Sequence, residues 1–253
     1  MSMFEIVFSP TGGTEKVSGL VTGALDGNIV TVDLTDSGLD FHGVSMAKGD
    51  VAVISVPSYA GRVPAVAVER LGMVRGNGAR AVLVCVYGGR AFEDTLIELE
   101  DVAKRAGFGV VAAVSAIAEH SVARQFAAGR PDAQDVAQLS EFAQRIRQKL
   151  LDGAASEPSI PGNRPYKQAG GHSMVPHATE DCVSCGACAA LCPVRAIDKD
   201  DPRQVDGEAC ISCMRCVSVC SQNARKLDPN KLAAVTQMLS KACVERRECE
   251  IFI

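Results

Sequence analysis

The chain has 253 residues, 47% of them apolar and 22% charged, with a formal net charge of −4. That composition suits one large globular domain or a medium one plus a small one, and excludes disordered and collagen-like classes. No apolar run reaches the ~18–20 residues of a bilayer span, the mild acidity argues against a nucleic-acid partner, and the stretch Met1 to Phe8 lacks the basic residues that open a secretory signal. A soluble, cytoplasmic protein is expected.

Phe4, Ile6, Val7 and Phe8 form a first apolar strand, which runs into Ser9, Pro10, Thr11, Gly12, Gly13 and Thr14. Val17, Leu20, Val21, Ala24 and Leu25 then recur at helical spacing. Strand, hydroxyl- and glycine-rich loop, then helix is a phosphate cradle of backbone N–H groups, hydroxyls and a helix N-terminus. No Walker lysine follows, so a monophosphate tail fits better than a nucleoside triphosphate. Ile29 to Leu34 alternates, with Val30, Val32 and Leu34 on one face, as an edge strand does. Val51–Val56, Ala81–Tyr87 and Val110–Ser115 are nearly continuous apolar runs, the signature of parallel strands covered on both faces. Helical stripes separate and follow them: Phe92, Leu96, Leu99 and Val102, then Val136, Leu139, Phe142, Ile146 and Leu150. Phe92 reads as the start of its stripe, and hence as core rather than ligand contact.

Five strands alternating with helices predict an α/β fold with parallel strand order 2-1-3-4-5, whose ligands sit at the carboxyl ends of the strands. The loops at those ends are therefore the candidates. Besides the phosphate loop they are Pro57, Ser58, Tyr59, Ala60, Gly61 and Arg62, and the end of the fourth strand with its loop, Tyr87, Gly88, Gly89 and Arg90. Gly76 to Ala81 matches a dinucleotide fingerprint, but it precedes a strand instead of linking strand to helix, and reads as a turn. Cys85, inside a buried strand, reads as a small apolar filler.

On these residues the first 152 positions resemble the flavodoxins, whose [S/T]-x-T-G-x-T phosphate loop Ser9 to Thr14 matches. The resemblance implies that FMN binds here. Ser9, Thr11, Gly12, Gly13 and Thr14 would hold its phosphate, Tyr59 would stack on its ring, and Gly61 would allow the backbone turn beside it. Arg62 and Arg90 have no fixed counterpart in that family; each either offsets the charge of a reduced ring or caps a neighbouring helix. The absence of tryptophan departs from many flavodoxins.

Residues 153–180 are rich in proline and glycine and read as a linker, with His172 and His177 solvated in it. Ten of the eleven cysteines follow. Cys182, Cys185, Cys188 and Cys192 are spaced C-x2-C-x2-C-x3-C before Pro193. Cys210, Cys213, Cys216 and Cys220 repeat the spacing, each at one constant offset from its counterpart. The rhythm differs from the paired C-x2-C of zinc ribbons. It indicates two iron–sulfur clusters on a duplicated unit. The segment 181–226 resembles the two-cluster bacterial ferredoxins, a small α+β fold. The resemblance implies one 4Fe–4S cluster on Cys182, Cys185, Cys188 and Cys220, and a second on Cys210, Cys213, Cys216 and Cys192. Ser221 stands where the first quartet has Pro193; its hydroxyl either bonds a cluster sulfur or admits water, each raising that cluster's potential, or is a tolerated turn residue.

In the final segment, 227–253, Asp228 and Pro229 start a helix. Its apolar stripe, Leu232, Val235, Met238, Leu239 and Ala242, is expected to dock on another surface; Cys243 and Cys249 have no motif partner. Residues 153–253 carry 12 acidic and 12 basic side chains, and two doubly negative clusters would make that half acidic. A redox partner protein with a basic patch is the expected partner. As a whole the chain resembles flavodoxin–ferredoxin fusion proteins, which implies a low-potential electron carrier of anaerobic metabolism, with no dedicated catalytic residue. The alternatives are a flavoenzyme that reduces a small substrate or oxidises NAD(P)H, and a redox sensor. Flavin-to-cluster transfer within one chain, or between chains of a homodimer, are both compatible with so long a linker.

Overall fold

The structure, a computed structural model, describes residues 2–25, 28–153, 156–171 and 174–253; His172 lies outside them. The first half alternates strand and helix: β1 (Met3–Val7), α1 (Gly13–Gly23), β2 (Ile29–Asp33), β3 (Val51–Pro57), α2 (Ala65–Met73), β4 (Arg80–Tyr87), α3 (Thr95–Arg105), β5 (Gly109–Ile117) and α4 (Ala133–Leu151). The first five strands are parallel, in the order β2-β1-β3-β4-β5, which is the flavodoxin-like order the apolar runs predict. Helices α1 and α4 cover one face, α2 and α3 the other. β3 and β4 are buried almost throughout because both faces are covered. Gly76–Ala79 forms a turn, not a nucleotide loop: Ala79 N–H donates to Gly76 O, and Gly78 has φ +81.

Three details differ from the sequence pattern. Val30 is 47% exposed, and the inward face of this edge strand, β2, begins only at Val32. Phe92 lies outside α3; it packs on the core from the preceding loop and meets Tyr87 edge to face, ring centroids 5.6 Å apart. Val136 is half exposed, so the α4 stripe starts in earnest at Leu139.

The second half holds β6 (His177–Ala178), α5 (Ala187–Ala190), α6 (Arg215–Ser218), β7 (Arg225–Lys226), α7 (Pro229–Ala242) and β8 (Glu250–Phe252). β6 pairs antiparallel with β7, and His177 is exposed. The duplication is structural as well as sequential. Left-handed backbone recurs at Ser184 and Ser212, Gly186 and Met214, and Arg195 and Asn223, each pair separated by the offset that relates the two cysteine quartets. Asp228 caps α7, its carboxylate accepting from the N–H groups of Asn230 and Lys231. The stripe of α7 is only partly covered: Leu239 is buried while Met238 is 56% exposed. The chain then returns to the first half, where β8 joins the sheet antiparallel to β5 as a sixth strand. This strand also seats Cys249, which is buried in the core formed by α1, α4 and the sheet.

Between Glu157 and Lys167 the proline- and glycine-rich stretch is bonded to α3 and to the residues just before it. Asp94, just before that helix, accepts from the N–H of Asn163 at 2.8 Å, its amide at 3.0 Å, and the N–H of Lys167 at 2.7 Å. Arg164 pairs with Glu100 and Asp101, and the Tyr166 hydroxyl donates to Asp101. It is a strap, not a loose tether.

Among the described residues, no helix is long and apolar enough to cross a membrane.

Candidate functional site

A cleft of about 390 Å³ opens at the carboxyl ends of β1, β3, β4 and β5, where a sheet of this order binds its ligands. Its floor is Pro10, Thr11, Gly13 and Thr14, the turn from β1 into α1. The first turn of a helix leaves its N–H groups without intrahelical acceptors. Here Glu15 N–H is taken by Ser9 Oγ at 2.9 Å, and Gly12 sits in left-handed backbone that aims the turn. Pro57, Ser58, Tyr59, Ala60 and Arg62 form one wall; Tyr87, Gly88 and the loop Ala118–Val122 form another. Gly88 is required there, since a Cβ on it would lie 2.5 Å from the His120 ring.

Two walls come from the second half of the chain. Ala169, Gly170 and Gly171 of the strap close one side, and Ile211 and Ser212 close another. Those two residues lie between Cys210 and Cys213. Ser212 Oγ is buried with no hydrogen-bond partner among the described residues. Burial raises the Tyr59 phenol pKa well above its ordinary value, with the nearby Cys213 adding to the effect. Thus the aromatic side chain nominated for ring stacking stands beside a nominated cluster ligand.

Of the sixteen residues nominated from sequence, eleven line the cleft; Ser9, Gly12, Gly61, Gly89 and Arg90 stand behind it. Arg62 reaches it, but its guanidinium is held by Glu98 at 2.7 Å and by the Lys167 carbonyl at 2.6 Å. Arg90 is paired with Glu93, which Lys167 also contacts. Neither guanidinium is a free cation, and neither caps a helix. Sequence reasoning passed over His120, whose Nδ1 accepts from the N–H groups of Val122 and Ala123. Burial, assisted by Arg90, lowers its pKa, so the neutral ring carries its proton on Nε2. The rule that ligands meet the strand carboxyl ends would have found the loop after β5; nothing in the local sequence announces the strap or Ser212.

The cysteines gather round two further cavities. Cys182, Cys185, Cys188 and Cys220 line one, together with Arg225. Cys192, Cys210, Cys213 and Cys216 line the other. Four thiols spread round each hollow suit a polynuclear cluster. Backbone N–H groups of Ala196 and Ala224 point at Cys192 Sγ and Cys220 Sγ, at 3.3 and 3.2 Å, equivalent bonds in the two halves of the repeat. Burial pushes the thiols of Cys213 and Cys216 up to about 12; iron would displace those protons. Ser221 is exposed and its hydroxyl accepts from the Gln222 amide.

Fit can be judged from the polar groups left over. The cleft offers helix N–H groups at one end, an aromatic face, and the unpartnered Ser212 hydroxyl, a donor set that fits a phosphorylated flavin. The cysteine cavities offer eight thiols, sulfur-directed N–H groups and a buried cation, which fit anionic iron–sulfur clusters.

Residues 156–237 match the family described as 4Fe-4S dicluster domain. Solved structures similar to the first half include a Streptococcus pneumoniae TIGR4 flavodoxin, 20% identical, covering 58% of this chain and 99% of its own with a TM-score of 0.40. Oxidised Flavodoxin 2 from Bacillus cereus is 16% identical, with coverage of 59% and 99% and a TM-score of 0.44. No curated protein matches the sequence. The first half is flavodoxin-like by its own strand order. The chain joins a sheet of flavodoxin-like strand order to a segment, residues 156–237, similar to the 4Fe-4S dicluster domain family.

Proposed function

We propose that this protein is an iron–sulfur flavoprotein of electron transfer, coupling an FMN in the cleft to two 4Fe–4S clusters. One observation carries the reading: Ile211 and Ser212, from the loop between Cys210 and Cys213, are part of the cleft wall. A flavin held there is a neighbour of the second cluster within the same chain, without help from a second copy. When bound, flavin exchanges one or two electrons and each cluster exchanges one, so the assembly converts between two-electron and one-electron steps.

The chain's residues supply position and surroundings. The N–H groups of Gly13 and Thr14, with the Thr11 and Thr14 hydroxyls, hold the phosphate, while Gly12 aims the turn and Ser9 fixes it through Glu15. Tyr59 covers a ring face, and Arg62, clamped by Glu98, holds the strap across the site. The first cluster is held by Cys182, Cys185, Cys188 and Cys220, the second by Cys192, Cys210, Cys213 and Cys216. We divide the chain into a flavin domain at 1–152, a strap at 153–180, a cluster domain at 181–226 and a helix with returning strand at 227–253. The function is low-potential transfer in the cytoplasm, away from oxygen, to a protein partner with a basic docking patch.

A cleft of about 390 Å³ lies near the lower end of the ~300–1,000 Å³ range of cofactor and ligand sites. Filled by FMN, it leaves little room for a small substrate, which favours a carrier over a flavoenzyme. The test is an anaerobic absorbance titration of reconstituted protein with flavin and iron quantified. The carrier stays oxidised with NADH and NADPH and bleaches at both chromophores with a reduced low-potential ferredoxin or dithionite. Rapid bleaching by either nucleotide at catalytic protein levels overturns the reading in favour of the flavoenzyme.

A further inference from the structure

Arg225 is an anomaly within the repeat. Its counterpart in the first half of the repeat is Ile197, and both are buried, Arg225 at 2% exposure and Ile197 at 4%. Each stands at the same position after the fourth cysteine of its quartet. Ile197 lines the cavity of Cys192, Cys210, Cys213 and Cys216; Arg225 lines that of Cys182, Cys185, Cys188 and Cys220. One cavity therefore has an alkyl wall where the other has a guanidinium.

That guanidinium has no acidic partner among the described ion pairs. Its Nη2 donates to the Pro202 carbonyl and lies 3.4 Å from Cys188 Sγ, while Nε and Nη1 are buried with no hydrogen-bond partner among the described residues. Its backbone N–H faces Cys220 as well. A buried unpaired cation is costly, and the group that would balance it is an anion in the cavity it lines. Its charge also reaches Cys210 and Cys216, but its contacts are with two ligands of the first cluster. Arg215, the cation at the second cavity, is only half-buried and spends Nη1 on the carbonyls of Ser9 and Pro10, at 3.2 Å each; its Nε is also buried without a partner among the described residues, but its guanidinium bonds no ligand sulfur there.

We propose that Arg225 raises the reduction potential of the first cluster above that of the second, so that electrons arriving beside the flavin cleft come to rest on the cluster away from it. This rests on the cluster ligands proposed above. The step is a bare electron transfer. The second cluster, reduced from the flavin side, returns from triply to doubly negative, its thiolates included, while the first goes from doubly to triply negative. No bond or proton moves. A cation and N–H donors against the sulfurs favour the more negative form; N–H donors serve both quartets, whereas among the described residues a guanidinium meets a ligand sulfur only where Arg225 meets Cys188. The first cluster's ligand Cys185 is exposed, so the electron stops where a partner can collect it.

The experiment is an EPR-monitored redox titration of the full reconstituted chain, with iron and sulfide content measured alongside. Arg225→Ile makes the two halves of the repeat alike at this position. The parent should show two potentials, and Arg225→Ile should lower the higher one by at least about tenfold in equilibrium constant, about 59 mV for one electron. The lower potential should hold, and Arg225→Lys should keep most of the separation. An unchanged separation in Arg225→Ile with both clusters present overturns the proposal, as does movement of the lower potential instead. If Arg225→Ile fails to assemble the first cluster, Arg225→Gln, neutral but still a donor, decides by the same criterion. A parent protein lacking two clusters would refute the ligand assignment itself, a result the iron content reports separately.

Discussion

Replacing Asp94 by alanine should release the strap while leaving the sheet intact. Asp94 is 1% exposed, and its carboxylate accepts three N–H groups from the strap, two of them from the backbone at Asn163 and Lys167. Although burial works against the charged form, those bonds and the Arg62 charge hold its pKa below the usual carboxylate value. A hydrogen bond to a charged acceptor contributes roughly 1.5–3 kcal/mol. Losing the two backbone bonds at the lower figure removes about 3 kcal/mol from the strap's local opening free energy. Because about 1.4 kcal/mol is a factor of ten, amide exchange in residues 157–171 should accelerate about a hundredfold. Hydrogen-exchange mass spectrometry of the parent and Asp94→Ala proteins measures this directly, with β4 as internal control. Flavin affinity should fall too, since Ala169 to Gly171 wall the cleft. Strap exchange within about threefold of the parent would refute the reasoning, because local opening should track the lost bonds. So would an equal acceleration in β4, which would mean global unfolding.

Other perturbations probe neighbouring features. Gly61 has φ +83, and a Cβ there would lie 1.9 Å from Glu93 Oε2 and 2.8 Å from Glu93 Cβ. Gly61→Ala should cost at least about 1–2 kcal/mol for the left-handed backbone alone. It should also dislodge Glu93 from Arg90 and Lys167, seen as a lower melting temperature and weaker flavin retention. Acid should loosen the strap. Glu93 is held low chiefly by Arg90, Asp101 chiefly by Arg164, and Asp94 by the bonds already described. Depressed carboxylates give stability that is present above their ordinary values and lost as pH falls through the lowered ones. Pepsin should therefore cut residues 157–171 faster as pH is lowered below about 4, while an unchanged cleavage pattern would count against the strap contacts. Deleting residues 244–253 removes β8 and bares the edge of β5; it also strips Arg246 from Asp132 and Asp135. Light scattering should show self-association with iron content unchanged.

The parts legible in the sequence are those with a repeating local signature. Continuous Val, Ile, Leu and Ala runs mark β3, β4 and β5 because both of their faces are covered, and the hydroxyls and glycines of Ser9 to Thr14 mark a turn into a helix. Cysteine spacing marks the clusters because three ligands on one short loop need that rhythm. The parts not legible are set at long range. Asp94 meets Asn163 and Lys167 across about 70 positions, and no periodicity foretells which carboxylate a loop will clasp. β8 has three residues at the end of a charged tail, too few for an alternation to show. The α7 stripe has a helical period, but period alone does not say how much of it is covered, and Met238 remains outside. Arg225 was open to discovery by aligning the two halves of the repeat beyond the cysteines, where Ile197 gives way to a cation.

The strap and the returning strand bear together on how the two halves work. The cluster segment is tied down at both ends, by the strap on α3 and by β8 on β5. Between those ties, three arginines join the halves through main-chain carbonyls: Arg70 to Pro193, Arg195 to Ser37, and Arg215 to Ser9 and Pro10. A loosely tethered domain would meet the cleft at an effective concentration set by linker length. A domain anchored at both ends samples far fewer placements, because closing the loop twice removes most of its freedom. The loop between Cys210 and Cys213 is thereby kept against the cleft, which is what single-chain transfer requires. Arg215 strengthens that coupling, since one side chain contacts the phosphate loop and lines the cavity of the second cluster. On the proposed assignment, a shift of the β1–α1 turn on filling the cleft passes first to the cysteine cavity that Arg215 lines.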